Sequence, residues 1–307
     1  MRTLAAGPAE RLRALLRGPV ATGVSLAPLT SFNIGGPAAL VASPADAADL
    51  GRALIFAGEE GLPVHVLAGG SNTLVRDGGV RGLVIRPTAF QELRREGTGV
   101  RAGAGVRIGR LLAFCVSQGL AGLEMLSGVP GTVGGALWGN AGAWGGAIGD
   151  AVRDLELVTP AGERRVLERA AIPFRYRSSG LPTGAVVTAG CFDLAAGVPT
   201  EIRRRISGYL VQRNARQPVR FRSAGSIFKN PPGDHAGRLV EAAGLKGHQI
   251  GNAMISEQHG NFIVNLGGAT AADVLALIRL AQDRVRETSG IALELEIRVI
   301  GDDRRSA

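Results

Sequence analysis

The run from Gly122 to Asp150, GLEMLSGVPGTVGGALWGNAGAWGGAIGD, holds ten of the chain's 46 glycines and almost no charge. Glycine inside a helix or strand is destabilising by roughly 0.5–1 kcal/mol relative to alanine, so this density excludes an ordinary element and selects left-handed turns and close backbone approach. A flexible linker would be rich in serine and other polar residues. This run instead carries Met125, Leu126, Val129, Val133, Leu137, Trp138, Trp144 and Ile148, all candidates for burial. The pattern reads as an ordered cradle whose successive backbone N–H groups turn onto an anion.

A second, shorter glycine turn, Ala68–Asn72, follows a strand directly in PVHVLAGGSNTLVRDGGVRGLVIR, which reads as strand, glycine turn, strand, tight Asp77-Gly78-Gly79 turn and strand. The Ser71 hydroxyl and Asn72 amide beside two glycines suit a phosphate as well as a plain β-turn. Ahead of it, Ser43-Pro44 opens a helix ending near Gly58–Gly61. Farther on, Gly103-x-Gly105 imitates a dinucleotide fingerprint, but the third glycine falls late, at Gly109, and the helix Val106–Gln118 leads into the glycine run instead of a second buried strand. Ile108, Leu111, Leu112, Cys115 and Val116 keep helical spacing, so that helix faces a core.

From Ala151 the pattern turns to strands, with a Thr159–Glu163 hairpin and the buried strand GAVVTAGCFDL. Between them lies IPFRYRSSG, where Arg175 and Arg177 offer fixed guanidinium groups to an anion. A helix from Pro199 to about Asn214 follows, then a compact α+β unit with helices at His235–Ala243 and Ala271–Glu287, a strand at Phe262–Asn265 and a final strand at Ala292–Ile300.

The 307 residues, 45% hydrophobic, suffice for two domains. No apolar run is long enough to span a bilayer and the N-terminal residues lack a signal core, which gives a cytoplasmic expectation. Cys115 and Cys191 lie in apolar contexts without metal spacing and read as buried thiols. His65, His235, His248 and His259 show no paired ligand spacing, so no metal is expected. The net charge of +9 is scattered, and with 4% aromatics there is no basic and aromatic surface for nucleic acid. Small anionic ligands fit better. Of 35 basic residues only Lys229 and Lys246 are lysine, and a compact ammonium there suits a phosphate or carboxylate.

Six stretches occur in a telling order: LAGGSNTLVRDGG, GLEMLSGVPGTVGGALWGNAGAWGG, FRYRSS, AGSIFKNP, AGLKGHQIGNAMISEQHGNFIVN and LELEIRVIG. Together, over about Leu29 to Gly301, they closely resemble the UDP-N-acetylenolpyruvoylglucosamine reductase (MurB) family, in the shorter subclass that lacks the tyrosine-bearing substrate loop. The resemblance implies an α+β fold with a two-lobed FAD-binding domain of the vanillyl-alcohol-oxidase type over 1–206, split near 80–100, and a substrate-binding domain over 207–307. It implies non-covalent FAD, NADPH as reductant, and reduction of the enolpyruvyl ether of UDP-N-acetylglucosamine enolpyruvate to UDP-N-acetylmuramate. A monomer is expected, with neither nucleic acid nor membrane as partner.

Carried over motif by motif, the resemblance makes Ser226 the general acid that protonates C2, while Arg177 with Glu296 polarises the substrate carboxylate as hydride from reduced FAD arrives at C3. Glu294, two residues before Glu296, is the alternative carboxylate. FAD would be held by Gly69, Gly70, Ser71 and Asn72 in one stretch, by Gly128, Val129, Pro130, Gly131, Thr132, Gly134, Gly135, Asn140 and Gly142 in the other, and by Arg213. Tyr176, Arg216, Lys229, Asn230 and Lys246 would face the substrate. Two departures weaken single contacts: Asn33 stands where the family often has Arg, and Ala68 replaces the first of three glycines. An oxygen-using oxidase on the same flavin fold, or a catalytically silent nucleotide-sugar binder, are the competing readings.

Overall fold

The computed structural model describes residues 7–303. In chain order they form α1 (Pro8–Leu15), β1 (Val20–Ser25), β2 (Pro37–Ala42), α2 (Ala47–Glu59), β3 (Val64–Val66), β4 (Thr73–Val75), β5 (Val80–Ile85), β6 (Leu93–Glu96), β7 (Gly99–Gly103), α3 (Ile108–Gln118), β8 (Leu120–Ala121) and α4 (Val133–Trp138). There follow β9 (Gly142–Ala143), β10 (Gly146–Ala147), β11 (Val152–Val158), β12 (Arg164–Glu168), β13 (Val186–Asp193), β14 (Ala195–Ala196), α5 (Pro199–Arg216), α6 (Ala236–Ala242), β15 (Gln249–Ile250), β16 (Ala253–Ile255), β17 (Ile263–Asn265), α7 (Ala271–Ser289) and β18 (Arg298–Ile300). Among these residues two compact units result, the first from 7–23, Ala39–Gly69 and Gly82–Val211, the second from Val24–Ala38, Gly70–Arg81 and 212–303.

The first unit has two main cores. One lies under the sheet ordered β1-β2-β5-β3, where Leu40, Ala42, Leu83 and Ile85 meet Leu12 of α1 and Leu50 and Leu54 of α2. The other belongs to the antiparallel sheet β12-β11-β13-β7-β6. Its central strand β13 is buried at seven successive positions, which is why GAVVTAGCFDL shows no polar alternation. Helix α3 lays Ile108, Leu111, Leu112 and Cys115 on this core and stops at Gly119, whose φ of +61° a glycine tolerates best. Both cysteines are buried, and burial pushes the Cys115 thiol up to about 12.

The second unit packs α7 against the sheet β15-β16-β17, around a core that includes Phe32, Leu74, Ile227, Phe228, Val274 and Ile278. Helix α7 opens with a capping box, Thr270 Oγ1 accepting from Asp273 N–H at 3.1 Å and the Asp273 carboxylate accepting from Thr270 N–H at 3.0 Å. Its apolar stripe Val274, Leu277, Ile278, Ala281 and Val285 keeps the helical period. The final strand is shorter than the sequence suggests. Residues before it bond to the 227–229 segment, through Lys229 N–H to Glu294 O and Glu296 N–H to Ile227 O, and only Arg298–Ile300 then pairs in parallel with β4. A change of partner midway prevents one continuous ladder.

Asp49 shows how the first unit is tied at its edge. Its carboxylate is fully buried, and burial alone pushes its pKa up. The N–H groups of Ala45, Arg17 and Gly18, each at 2.9 Å, and the Arg52 guanidinium at 2.7 Å outweigh that and leave the pKa at about 2. A depressed carboxylate stabilises the fold fully above its unfolded pKa, and the gain is lost as pH falls through the folded value, so the window runs from about pH 4 down to about pH 2. Asp49→Asn should lower stability at neutral pH by at least about 2 kcal/mol and flatten the acid limb of the stability curve, as read by urea unfolding at stepped pH.

Candidate active site

In the first unit the two glycine stretches touch. A Cβ on Gly69 would lie 2.6 Å from the Gly131 Cα, so no side chain fits between these backbones. Gly131 itself has φ +109° and Gly128 +74°. The Gly131 carbonyl accepts from Ile108 N–H, and Gly134 backs onto Ala104, where a Cβ would meet Ala104 Cβ at 2.7 Å. The cradle is thereby fixed to the start of α3 and the end of β7. The Thr132 Oγ1 is buried with no hydrogen-bond partner among the described residues. Gly135 is open and Val129 and Pro130 flank the turn.

Four described non-glycine residues have positive φ, and Asn140, Trp144 and Arg177 are three of them. Such backbone costs about 1–3 kcal/mol at each residue and persists where surrounding structure imposes it. Here the cause is visible. Asn140 Oδ1 accepts from Gly149 N–H at 3.1 Å, and its Nδ2 donates to Arg175 O at 3.0 Å. Ser179 Oγ donates to Trp138 O at 2.8 Å. Arg175 and Ser178 exchange backbone hydrogen bonds, closing the turn that presents exposed Tyr176 and half-buried Arg177. Arg177 Nη1 donates to the Gly142 carbonyl at 2.9 Å, and the guanidinium lies 5.3 Å from the centre of the Tyr176 ring. Asn140 and Gly142 thus hold the Arg177 loop to the glycine run. Trp144, at the tip of the β9–β10 hairpin, stacks on Tyr209 of α5 at 5.3 Å.

The second unit carries Ser226 and Glu296 on segments joined through the backbone. Ser226 follows Gly225, at φ +77°, and bridges to Phe262. The next residues are gripped on both sides. Phe228 N–H donates to Asn261 Oδ1 and Phe228 O accepts from Asn261 Nδ2, both at 2.8 Å, while Glu296 N–H donates to the Ile227 carbonyl at 2.8 Å. Asn72 reaches the same strand, with Nδ2 donating to Glu296 O at 3.0 Å and its carbonyl accepting from Arg298 N–H at 2.9 Å. Gly70 meets Leu29 O so closely, with φ +61°, that only glycine fits, and Ser71 lies beside it. The two acidic candidates differ: Glu294 is 75% exposed and paired with Lys229 at 3.2 Å, whereas Glu296 is half-buried.

Of the substrate candidates, Lys229 and Asn230 belong to the Ser226 segment, and Asn230 Oδ1 accepts from Ala236 N–H at the start of α6. Lys246 pairs instead with Glu241 of α6 at 3.1 Å. Arg213 and Arg216 end α5, Arg216 exposed and Arg213 half-buried, where burial lowers its pKa. Asn261 was not singled out in the sequence. Its signal is an amide opening the apolar run of GNFIVN, which burial obliges to find partners.

The family described as "FAD binding domain" matches residues 38–168, and "UDP-N-acetylenolpyruvoylglucosamine reductase, C-terminal domain" matches 217–300. The UDP-N-acetylenolpyruvoylglucosamine reductase of Geobacter sulfurreducens is 46% identical over 296 residues, covering 96% of this chain and 98% of that protein. The reductase of Moorella thermoacetica is 44% identical, covering 96% and 97%. The crystal structure of the Thermus caldophilus enzyme superposes with a TM-score of 0.80 at 40% identity, covering 92% of this chain and 99% of that one. The chain belongs to the UDP-N-acetylenolpyruvoylglucosamine reductase family. It is an FAD-dependent oxidoreductase with NADPH as reductant.

The residues present fit the cofactor of this reductase family. A diphosphate needs backbone that can approach it and donors left unused by the protein. The Gly69–Gly131 contact supplies the first and the unpartnered Thr132 hydroxyl the second. Gly69→Ala forces these two backbones apart. The variant should fold but leave purification with its FAD affinity lowered at least about tenfold, visible as loss of the flavin absorbance.

Proposed function

We propose that the chain reduces the enolpyruvyl ether of UDP-N-acetylglucosamine enolpyruvate to UDP-N-acetylmuramate, with Arg177, Ser226 and Glu296 as catalytic residues. The observation that supports the assignment is the backbone joining of the 227–229 segment, next to Ser226, to the 294–296 segment that carries the half-buried Glu296. FAD, bound without a covalent bond and reduced by NADPH, would supply the hydride to C3.

Arg177 pairs with the substrate carboxylate and stabilises the enolate charge, an electrostatic role suited to a guanidinium whose loop is pinned before the ligand arrives. Ser226 holds its Oγ proton for C2. A hydroxyl is a weak acid, but an enolate carbon is a strong enough base for it. Glu296 helps orient the carboxylate. Lys229, Asn230, Tyr176, Arg216 and Lys246 serve the UDP-sugar, and Arg213 the flavin phosphates. The diphosphate is held by Gly69–Asn72 together with Gly128–Thr132, Gly134 and Gly135, with Asn140 and Gly142 supporting that run. We assign 1–206 as the FAD-binding domain and 207–307 as the substrate-binding domain, supported by family matches that fall on either side of this boundary, with 24–38 and 70–81 of the first part belonging to the second compact unit. We place the enzyme as a monomer in the cytoplasm, where its nucleotide substrates reside, with neither nucleic acid nor membrane as partner.

The deciding experiment is anaerobic. Flavin reduced by NADPH should be reoxidised by UDP-N-acetylglucosamine enolpyruvate; reoxidation by oxygen alone would assign the chain to an oxidase of the same fold. Ser226→Ala should lose about 10²-fold or more in turnover with its flavin spectrum unchanged, and near-normal turnover would refute the acid role. Because Glu294 is exposed and already engaged by Lys229, Glu296→Gln should slow turnover at least about tenfold more than Glu294→Gln in the same assay.

A further inference from the structure

Arg86 directly follows β5 in the first unit, and its N–H donates to Ala42 O at 2.8 Å. Leu83 and Ile85 both point into the core with α1 and α2, so strand alternation turns Arg86 to the other face. Its Nε is buried with no hydrogen-bond partner among the described residues. Burial lowers its pKa and no acid offsets that effect. A guanidinium stays charged even so. Arg101 shows what this chain does with a buried guanidinium elsewhere: it is 15% exposed and paired with Glu92 at 2.9 Å and Glu156 at 2.7 Å. Among the described residues Arg86 has no such pair, and a half-buried charge without an anion is held at a cost in free energy.

Its place in the sheet says which anion is suited. Parallel strands β3 and β5 end together, Val66 opposite Ile85, and Leu67 N–H donates to Ile85 O. The β3 chain then continues through Ala68 into Gly69, whose backbone meets Gly131, next to the unpartnered Thr132 hydroxyl. Arg86 thus leaves the same end of the same sheet as the glycine turn.

We propose that Arg86 is a side-chain counter-charge for the FAD diphosphate, adding a fixed positive charge to a cradle otherwise made of backbone. The proposal rests on the FAD reading above. FAD and riboflavin are titrated onto the flavin-stripped full chain by fluorescence quenching, for the wild type, Arg86→Gln and Arg86→Met. FAD affinity should fall 10- to 100-fold in both variants while riboflavin, which lacks the diphosphate, binds all three proteins alike. The flavin-free variants should melt at or above the wild-type temperature, since each loses an unpaired buried charge. FAD affinity within twofold of wild type would overturn the proposal. Equal losses for FAD and riboflavin would overturn it too, by making Arg86 structural. Failure of both variants to fold has the same consequence, because a residue whose only deficit is an unpaired charge is dispensable for folding. A wild-type protein that takes up no FAD would instead defeat the flavin reading itself.

Discussion

The contact of the Gly69 and Gly131 backbones is the constraint on which the rest of the first unit depends. It joins a loop leaving one sheet to a loop covering the other core, and it leaves no room for a Cβ. Behind it, Gly134 sits on Ala104 and the Gly131 carbonyl takes the first N–H of α3, so the cradle inherits the rigidity of the larger sheet. Ahead of it, α4 ends in Trp138, whose carbonyl receives Ser179, and Asn140 holds the carbonyl of Arg175. The position of Arg177 is thus traceable, bond by bond, to a packing requirement several residues away.

Side-chain amides do in this protein what strand ladders do elsewhere. A carboxamide presents a donor and an acceptor together, as a peptide group does. Asn261 uses both on Phe228, standing in for a neighbouring strand beside Ser226. Asn140 bridges two loops in the same manner, and Asn72 adds a side-chain bond to the strand it already meets through its carbonyl. Such pins hold irregular backbone, which a regular ladder could not follow, in one conformation.

Much of the fold was legible because its signals are local. The stripe of α7 with its Thr270–Asp273 box, the apolar run of β13 and the stop of α3 at Gly119 are written in neighbouring residues. The glycine cradle was legible for a related reason, since so many glycines have few uses other than close backbone approach. The final strand was overread because its partner changes midway, a tertiary fact invisible in LELEIRVIG. The same limit applies to the site. Physical reading of the sequence left Arg177, Ser226 and Glu296 unconnected, and only the ordered motifs of the family joined them. Arg86 could not be picked out among so many arginines, because what distinguishes it is that no described acid pairs with it.

The scarcity of lysine has a practical side. Lys229 and Lys246 are the chain's two ammonium side chains, 37% and 29% exposed, each engaged by one carboxylate. An amine-directed label therefore has two side-chain addresses, one of them three residues from Ser226. The extent of labelling at Lys229, with Lys246 as an internal standard, becomes a footprint of whatever occupies the Ser226 segment, readable by mass without any substitution in the protein.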